Sequence, residues 1–417
     1  MRRFAAIIAL LALLGSLAGC GGKARSVPQE LKIAVISDVH YTGTGYAYTG
    51  SFQASNDVSG TGKQVKYLPF ILDAFIAQML RERPDILLVT GDNAFNGARS
   101  SHEELAEKLS VLVDSGITVL TLPGNHDINA RALDFPDGEI HETVSVSAEE
   151  FAEIYAAFGY AAAASRDPSS LSYMYDTGRG VRIFMLDTCF RYGAMYGRVN
   201  EGVMEWLSRE LEECRRAGDL PLVAGHHNAL DHSALFGFGY TVDNSDALRE
   251  LLVQNGATLY LSGHLHPQSI VSDGELTDAA TECFAVFPHR YGLIEISSEG
   301  WRYTAMQTDV EGYASYTGAG DDALLNYGEY GYAFFYSNAY AQAEEYVAAF
   351  DLGEDDAKGL CDLSAQANAA YFMGQPSAID RTYAAKFTAL GGGSFWQSYI
   401  LSILDTPDSL CAEGVWK

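Results

Sequence analysis

The chain predicts a layered α/β fold with its reactive side chains gathered along one edge, and three observations carry that prediction. Apolar runs of strand length alternate with stretches of helical periodicity along the first three hundred residues. Each run empties into a polar turn, and Asp, Asn and His collect in those turns. Composition agrees: of 417 residues 48% are hydrophobic and 19% charged, the balance of a folded chain with a sizeable core.

The elements follow in order. The first twenty residues, "MRRFAAIIALLALLGSLAGC", open with two arginines, continue uncharged and apolar, and finish on small residues before Cys20, the pattern of an export signal. Its apolar stretch is shorter than the ~20 residues a membrane span needs. The ending "LAGC" resembles the lipobox of bacterial lipoproteins, which implies a lipid on Cys20, anchorage in a membrane and an extracytoplasmic position. Residues 21–31 read as a tether and 32–310 as the main folded domain.

"LKIAVIS" is a buried strand that runs directly into Asp38 and His40. Residues 41 to about 64 show no apolar periodicity and read as a loop; its "YTGTGYAYTG" offers tyrosines that either stack on a substrate or are incidental. Leu72, Ile76, Met79 and Leu80 mark a helix that stops near Arg83-Pro84. "DILLVT" then delivers Gly91, Asp92 and Asn93. Ser101 and Glu104 have capping-box spacing ahead of a helix with Leu105, Leu109 and Leu112 on its apolar face. "ITVLTL" leads into "PGNHD", with Asn125, His126 and Asp127 in succession.

"RIFMLD" fits another strand, and Val203, Trp206, Leu207, Leu211 and Cys214 another helix. "LPLVAG" ends on His226, with His227 behind it, and "ATLYLSG" ends on His264 and His266. The runs "ECFAVF", "YGLIEIS" and "WRYTAMQ" suggest antiparallel strands closing a second sheet. From residue 311 to 417 the strand-to-turn rhythm disappears, and a mostly helical appendage is expected.

Eight side chains stand at the strand ends: Asp38, His40, Asp92, Asn125, His126, His226, His264 and His266. All but His126 suit two hard or borderline divalent cations, with a carboxylate such as Asp92 between them. The order D-x-H, G-D, G-N-H-D, H, G-H-x-H resembles the calcineurin-like metallophosphoesterase superfamily, with all five blocks in sequence between residues 38 and 266.

That resemblance implies a four-layer αββα sandwich holding two divalent metal ions, Mn, Fe or Zn. It places Asp38, His40 and His266 on one ion, Asn125, His226 and His264 on the other, and Asp92 on both. His226 is preferred to His227 because "VAGH" matches the family's strand-then-His pattern. Two cations about 3.5–4 Å apart acidify a shared water and hold phosphate oxygens for in-line attack. His126 would then protonate the leaving oxygen and Asp127 would orient it, since imidazole exchanges protons near neutrality when a carboxylate fixes its tautomer.

Phe95 stands where purple acid phosphatases carry a ferric-ligating tyrosine, so the ferric type is disfavoured and the pattern is nearer the bacterial cyclic-nucleotide-phosphodiesterase-like branch.

His227, His232, His289 and Arg290 are the candidates for substrate contact, each set against a structural role; His102, at a polar helix start, reads as solvated. Five cysteines lie beyond Cys20, mostly buried fillers, with Cys361 and Cys411 the one guessed disulfide. With 27 Lys and Arg against 54 Asp and Glu, a broad nucleic-acid surface is not expected. The expected function is hydrolysis of a phosphodiester or phosphomonoester, a small molecule or a headgroup. The rival is a non-catalytic metal-binding lipoprotein acting as an interaction module.

Overall fold

In the computed structural model, which describes residues 28–58, 61–128, 131–390 and 393–416, the first apolar run forms β1 (Leu31–Ile36). The export signal, Cys20 and most of the tether lie outside the described residues. β2 (Ile86–Thr90) and β3 (Thr118–Leu122) follow, parallel to β1 because the helices Leu68–Glu82 and Arg99–Asp114 carry the chain back between them. A ribbon of β4 (Leu133–Asp134) and β5 (His141–Glu142) precedes β6 (Ser165–Arg166), β7 (Tyr173–Asp176) and β8 (Val181–Leu186). β9 (Leu220–Gly225), β10 (Leu259–Ser262), β11 (Ser269–Ser272) and β12 (Thr277–Ala280) come next. β13 (Arg290–Ile296), β14 (Gly300–Gln307) and, at the far end of the chain, β15 (Cys411–Val415) complete the set.

These strands build a six-stranded sheet, β15-β14-β13-β1-β2-β3, and a seven-stranded one, β11-β12-β10-β9-β8-β7-β6. Alternation of side chains stacks them. In β8, Ile183 and Met185 join the residues of the first sheet in one core, while Phe184 and Leu186 pack with Val203, Trp206 and Leu207 of the helix Glu201–Ala217. β9 and β10 repeat the division, with Leu222 and Leu261 inward and Val223 and Tyr260 outward. Leu72, Phe75, Leu105 and Leu109 cover the remaining face of the first sheet, so the layers run helix, sheet, sheet, helix.

Several local expectations are corrected. β13 and β14 are antiparallel strands, but they pair onto β1 and widen the first sheet. Alternation identifies a strand and its faces; it does not name the neighbour, which distant pairing decides. "ECFAVF" is not a strand: it turns beneath the strand ends and touches β1's continuation through a single Ser37–Cys283 bridge.

Ser101 caps nothing, because its helix begins at Arg99 and Glu104 is engaged by the Tyr41 hydroxyl at 2.7 Å and the Thr44 amide at 2.9 Å. A full capping box forms instead at Ser147 and Glu150. The loop after His40 contains the helix Gly50–Val58, and Tyr46 and Tyr48 pack with Phe52, Phe95 and Phe135 in a small core of their own. The stacking role for that loop loses its free rings.

Beyond β14 the helix Val310–Thr317 packs Val310 and Ala314 into the main core, and the helices Tyr327–Val347, Glu354–Phe372, Ala384–Ala389 and Phe395–Leu404 enclose a separate core around Val347, Leu360, Leu363, Phe387 and Ile400. The chain then returns to the first sheet as β15, beside β14. Cys361 is buried on a helix and Cys411 is exposed on β15; both are free thiols, so the guessed disulfide is not formed. Among the described residues no helix is long and apolar enough to cross a membrane.

Candidate metal centre

Asp38 and His40 follow β1, Asp92 follows β2, Asn125 and His126 follow β3, His226 follows β9, and His264 and His266 follow β10. All leave the carboxyl ends of parallel strands, where an open α/β sheet presents its crevice. To aim back over those ends, Asp38, His40, Asp92, His264 and His266 adopt φ values of 44° to 75°. They are five of the eight described non-glycine residues at positive φ, a conformation costing roughly 1–3 kcal/mol each. Strain is thus concentrated on the side chains that converge. Two glycines permit the approach: a Cβ on Gly124 would stand 2.2 Å from Asp92 Oδ1, and one on Gly263 would stand 1.7 Å from Ser37 Oγ.

Two clusters result, joined by Asp92. Asp92 Oδ2 lies 3.7 Å from His40 Nε2, which is 3.8 Å from Asp38 Oδ1 and 3.5 Å from His266 Nε2; the last is 3.4 Å from Asp38 Oδ1. On the other side Asp92 Oδ1 lies 3.5 Å from His226 Nε2, which is 3.1 Å from Asn125 Oδ1. His264 completes that group.

Backbone carbonyls fix two of the rings. Thr90 O accepts from His226 Nδ1 at 2.9 Å, leaving Nε2 to face the cluster, and Gly239 O accepts from His264 Nε2 at 2.9 Å, leaving Nδ1.

Asp38 supplies a test of whether a cation fits. Its Oδ2 accepts from Ser37 Oγ at 2.6 Å and from the His264 amide at 2.9 Å, whereas its buried Oδ1 has no hydrogen-bond partner. A buried carboxylate oxygen left bare beside two imidazole nitrogens suits a positive ion.

Electrostatics points the same way. Burial alone would raise the Asp38 carboxyl, but His266, 3.4 Å from Oδ1, and the neighbouring His226 hold it below the usual range. Asp92 is likewise held low, against its burial, by His226 and His126. Burial, and then the Lys63 charge, push His40 well below its ordinary value; burial and His226 bring His264 down to about 4. Both rings therefore keep the free lone pairs a metal requires. His226 is the exception, pushed up to about 9 although burial opposes it, because Asp92 lies beside it. A cation entering there would displace a proton.

His126 stands exposed at the lip of the first cluster, its ring 5.5 Å from that of His40 and its amide donating to Asp92 Oδ1 at 2.9 Å. Asp127 does not orient it. The Asp127 carboxylate is buried and accepts from the amides of Gly124 (2.8 Å) and Ala94 (3.0 Å) and from Asn93 Nδ2 (2.8 Å), so it anchors the loop from below. Adjacent side chains in a tight turn leave in different directions, and this one leaves inward.

His102 is not solvated: it is buried, with Nδ1 2.9 Å from the Tyr155 hydroxyl and Nε2 donating to Asp127 O at 3.1 Å.

The four candidate substrate contacts are all committed elsewhere. His227 is buried, donating from Nε2 to Met195 O (3.1 Å), with Nδ1 2.8 Å from Thr188 Oγ1. The His232 ring is buried between Ser269 Oγ at 2.9 Å and Asp278 Oδ2 at 3.4 Å. His289 bonds Phe284 O and the Tyr327 hydroxyl, and Arg290 bonds Met373 O, so this pair fastens the C-terminal helices to the body.

Two residues escaped the sequence reading. Cys283 Sγ lies with the ring nitrogens of His40 and His266 inside 4.8 Å and donates to Asp38 O, and Lys63 is the cation whose charge reaches His40. Neither carries a local signal, since each arrives through a distant turn.

Comparisons with known proteins bear on the family and the fold. The family description "calcineurin-like phosphoesterase" matches residues 31–268, and "C-terminal domain of cyclic nucleotide phosphodiesterase" matches residues 309–409. Among curated proteins none matches. Among solved structures, a dimetal phosphatase from Danio rerio is similar at 13% identity, covering 67% of this chain and 97% of its own, with a TM-score of 0.50. An anchor protein of the Plasmodium inner membrane complex shares 12% identity over 67% of this chain and 85% of its own, with a TM-score of 0.41. A putative 5'-nucleotidase from Staphylococcus aureus shares 14% over 64% and 51%, with a TM-score of 0.39.

Proposed function

Since this chain belongs to the calcineurin-like phosphoesterase family and is a metal-dependent phosphoester hydrolase, we propose that Asp92 joins two divalent cations in a centre that cleaves a phosphodiester. One observation carries the reading: Asp92 turns one carboxylate oxygen toward each imidazole cluster, Oδ2 toward His40 and Oδ1 toward His226. Asp38, His40 and His266 would hold one ion, and Asn125, His226 and His264 the other. When bound, such ions supply charge cancellation on the phosphate oxygens and a water acidic enough to ionise near neutrality. The mixed oxygen and nitrogen donors suit Mn, Fe or Zn.

The chain's own residues supply the rest. Ser37 and the His264 amide orient Asp38, and Thr90 O and Gly239 O hold their rings in the useful tautomer. His126, exposed beside His40, gives a proton to the leaving oxygen. Replacing it with Gln is expected to leave the metal content unchanged and slow hydrolysis about 10²–10⁴-fold for poor leaving groups, much less for nitrophenolate. Equal slowing across leaving groups in steady-state assays would remove the acid role.

The reading as a whole is tested by assaying the detergent-solubilised full chain for metal by mass spectrometry and for hydrolysis of bis-aryl against aryl phosphates. Two metals per chain and a preference for the diester are expected. Inactivity on both, with metals loaded, would sink it.

A lipid on Cys20 would place this chemistry on an extracytoplasmic membrane face. The signal ending in "LAGC" supports that reading, and the acidic balance supports a small phosphate ester or headgroup over nucleic acid. Cys20→Ser is expected to shift the protein from the membrane to the soluble fraction, and unchanged fractionation would refute lipidation.

A further inference from the structure

We propose that Met195 and Phe238, on two loops that meet beside the His264 side of the centre, form an apolar lip gripping the organic substituent of the ester, so that apolar esters are selected. The inference rests on the reading above and adds a substrate class to it. Phe238 is 82% exposed and Met195 48%, large apolar surface for a folded chain to leave in water. Single exposed apolar residues need no explanation, but these two stand together: a Cβ on Gly239, next to Phe238, would meet Met195 Cε at 2.6 Å.

Both loops are fastened to the centre itself. On the first, the Gly193 amide donates to Asn125 O at 3.0 Å and Met195 O accepts from His227 Nε2. On the second, Gly239 O accepts from His264 Nε2, and the Tyr240 ring lies 5.3 Å from that of His264. The lip is therefore held in a fixed position beside the residues proposed to hold cations, where the substituent of a bound ester could reach it.

In a chain with 54 acidic residues, the segment "SALFGFGYT" at 233–241 carries no charge of its own, and the Asp231 carboxylate beside it is engaged by Thr241 Oγ1 at 2.6 Å. The segment is also backed by the C-terminal helix Phe395–Leu404: the Phe236 ring lies 5.3 Å from Tyr240, 5.8 Å from Phe395 and 5.5 Å from Tyr399. A surface stiffened from behind loses little freedom when a ligand covers it.

The test is calorimetric titration of the metal-loaded full chain in detergent with methylphosphonate and butylphosphonate. Both offer the same anion to the centre, and only the second reaches the lip. Butylphosphonate is expected to bind about tenfold tighter, as partial burial of three methylenes would give. Phe238→Ser or Met195→Ser should bring that ratio toward one, while Tyr316→Ser, an exposed aromatic on the helix Val310–Thr317, should not change it. Equal affinities in the unaltered chain would overturn the lip and leave the hydrolase reading standing. Binding of neither phosphonate, with no hydrolysis, would bring down that reading and the lip with it. If Phe238→Ser removes binding to phosphatidylcholine vesicles yet leaves the butyl advantage, the surface meets a membrane and the proposal is wrong.

Discussion

Asp92→Ala is expected to abolish metal retention and turnover together, with kcat/KM falling by at least about 10³-fold. The size follows from position. Among the described residues Asp92 is the single buried carboxylate with an oxygen near each imidazole cluster, 3.7 Å from His40 and 3.5 Å from His226, and it also accepts the His126 amide. Its loss leaves the two clusters without the carboxylate that joins them, and the one around His226 and His264 without any carboxylate. Asp92→Asn separates charge from shape, since the amide can still accept from His126 while offering no anion. The fold should survive in both variants by circular dichroism, and chelator, which lowers the melting temperature of the unaltered metal-loaded chain, should have no further effect on either. An alanine variant that holds two metals and turns over normally would refute the shared-carboxylate centre.

Asp127→Ala should act on a different quantity. It is expected to cost about 3–5 kcal/mol of stability, because three buried donors, the amides of Gly124 and Ala94 and the Asn93 side chain, lose the charged acceptor they share. The loop carrying Asn125 and His126 would loosen, so metal affinity should fall along with the urea midpoint. A residue whose task was to orient His126 would behave otherwise, lowering kcat and leaving the midpoint alone. Urea titrations beside metal titrations distinguish the two outcomes.

The contrast between those residues shows what a sequence can convey. The convergence of Asp38, His40, Asp92, Asn125, His226, His264 and His266 was legible because each sits directly behind an apolar run, and parallel strands point their carboxyl ends the same way. The αββα order was legible for a similar reason, since strand alternation assigns inward and outward faces. What stayed hidden depends on direction and on distant neighbours. Asp127 carries the right chemistry to hold His126 but turns beneath the loop; His102 sits in a polar stretch yet is buried beside it. His289 and Arg290 lie close in sequence to the last block, but their partners come from the helices some forty to eighty residues onward. Cys283 reaches the centre through a turn that reads as a strand.

One feature of the chain's end bears on how the molecule moves as a whole. β15 lies against β14 through the pairs Gly300–Val415 to Thr304–Cys411, so the helices between them are clasped at entry and exit by neighbouring strands. Topologically they are a closed handle, unable to swing outward unless a five-residue strand peels from the sheet. Phe395 and Tyr399, on that handle, accordingly keep their station behind Phe236, and any breathing near the reactive crevice must come from the loops in front.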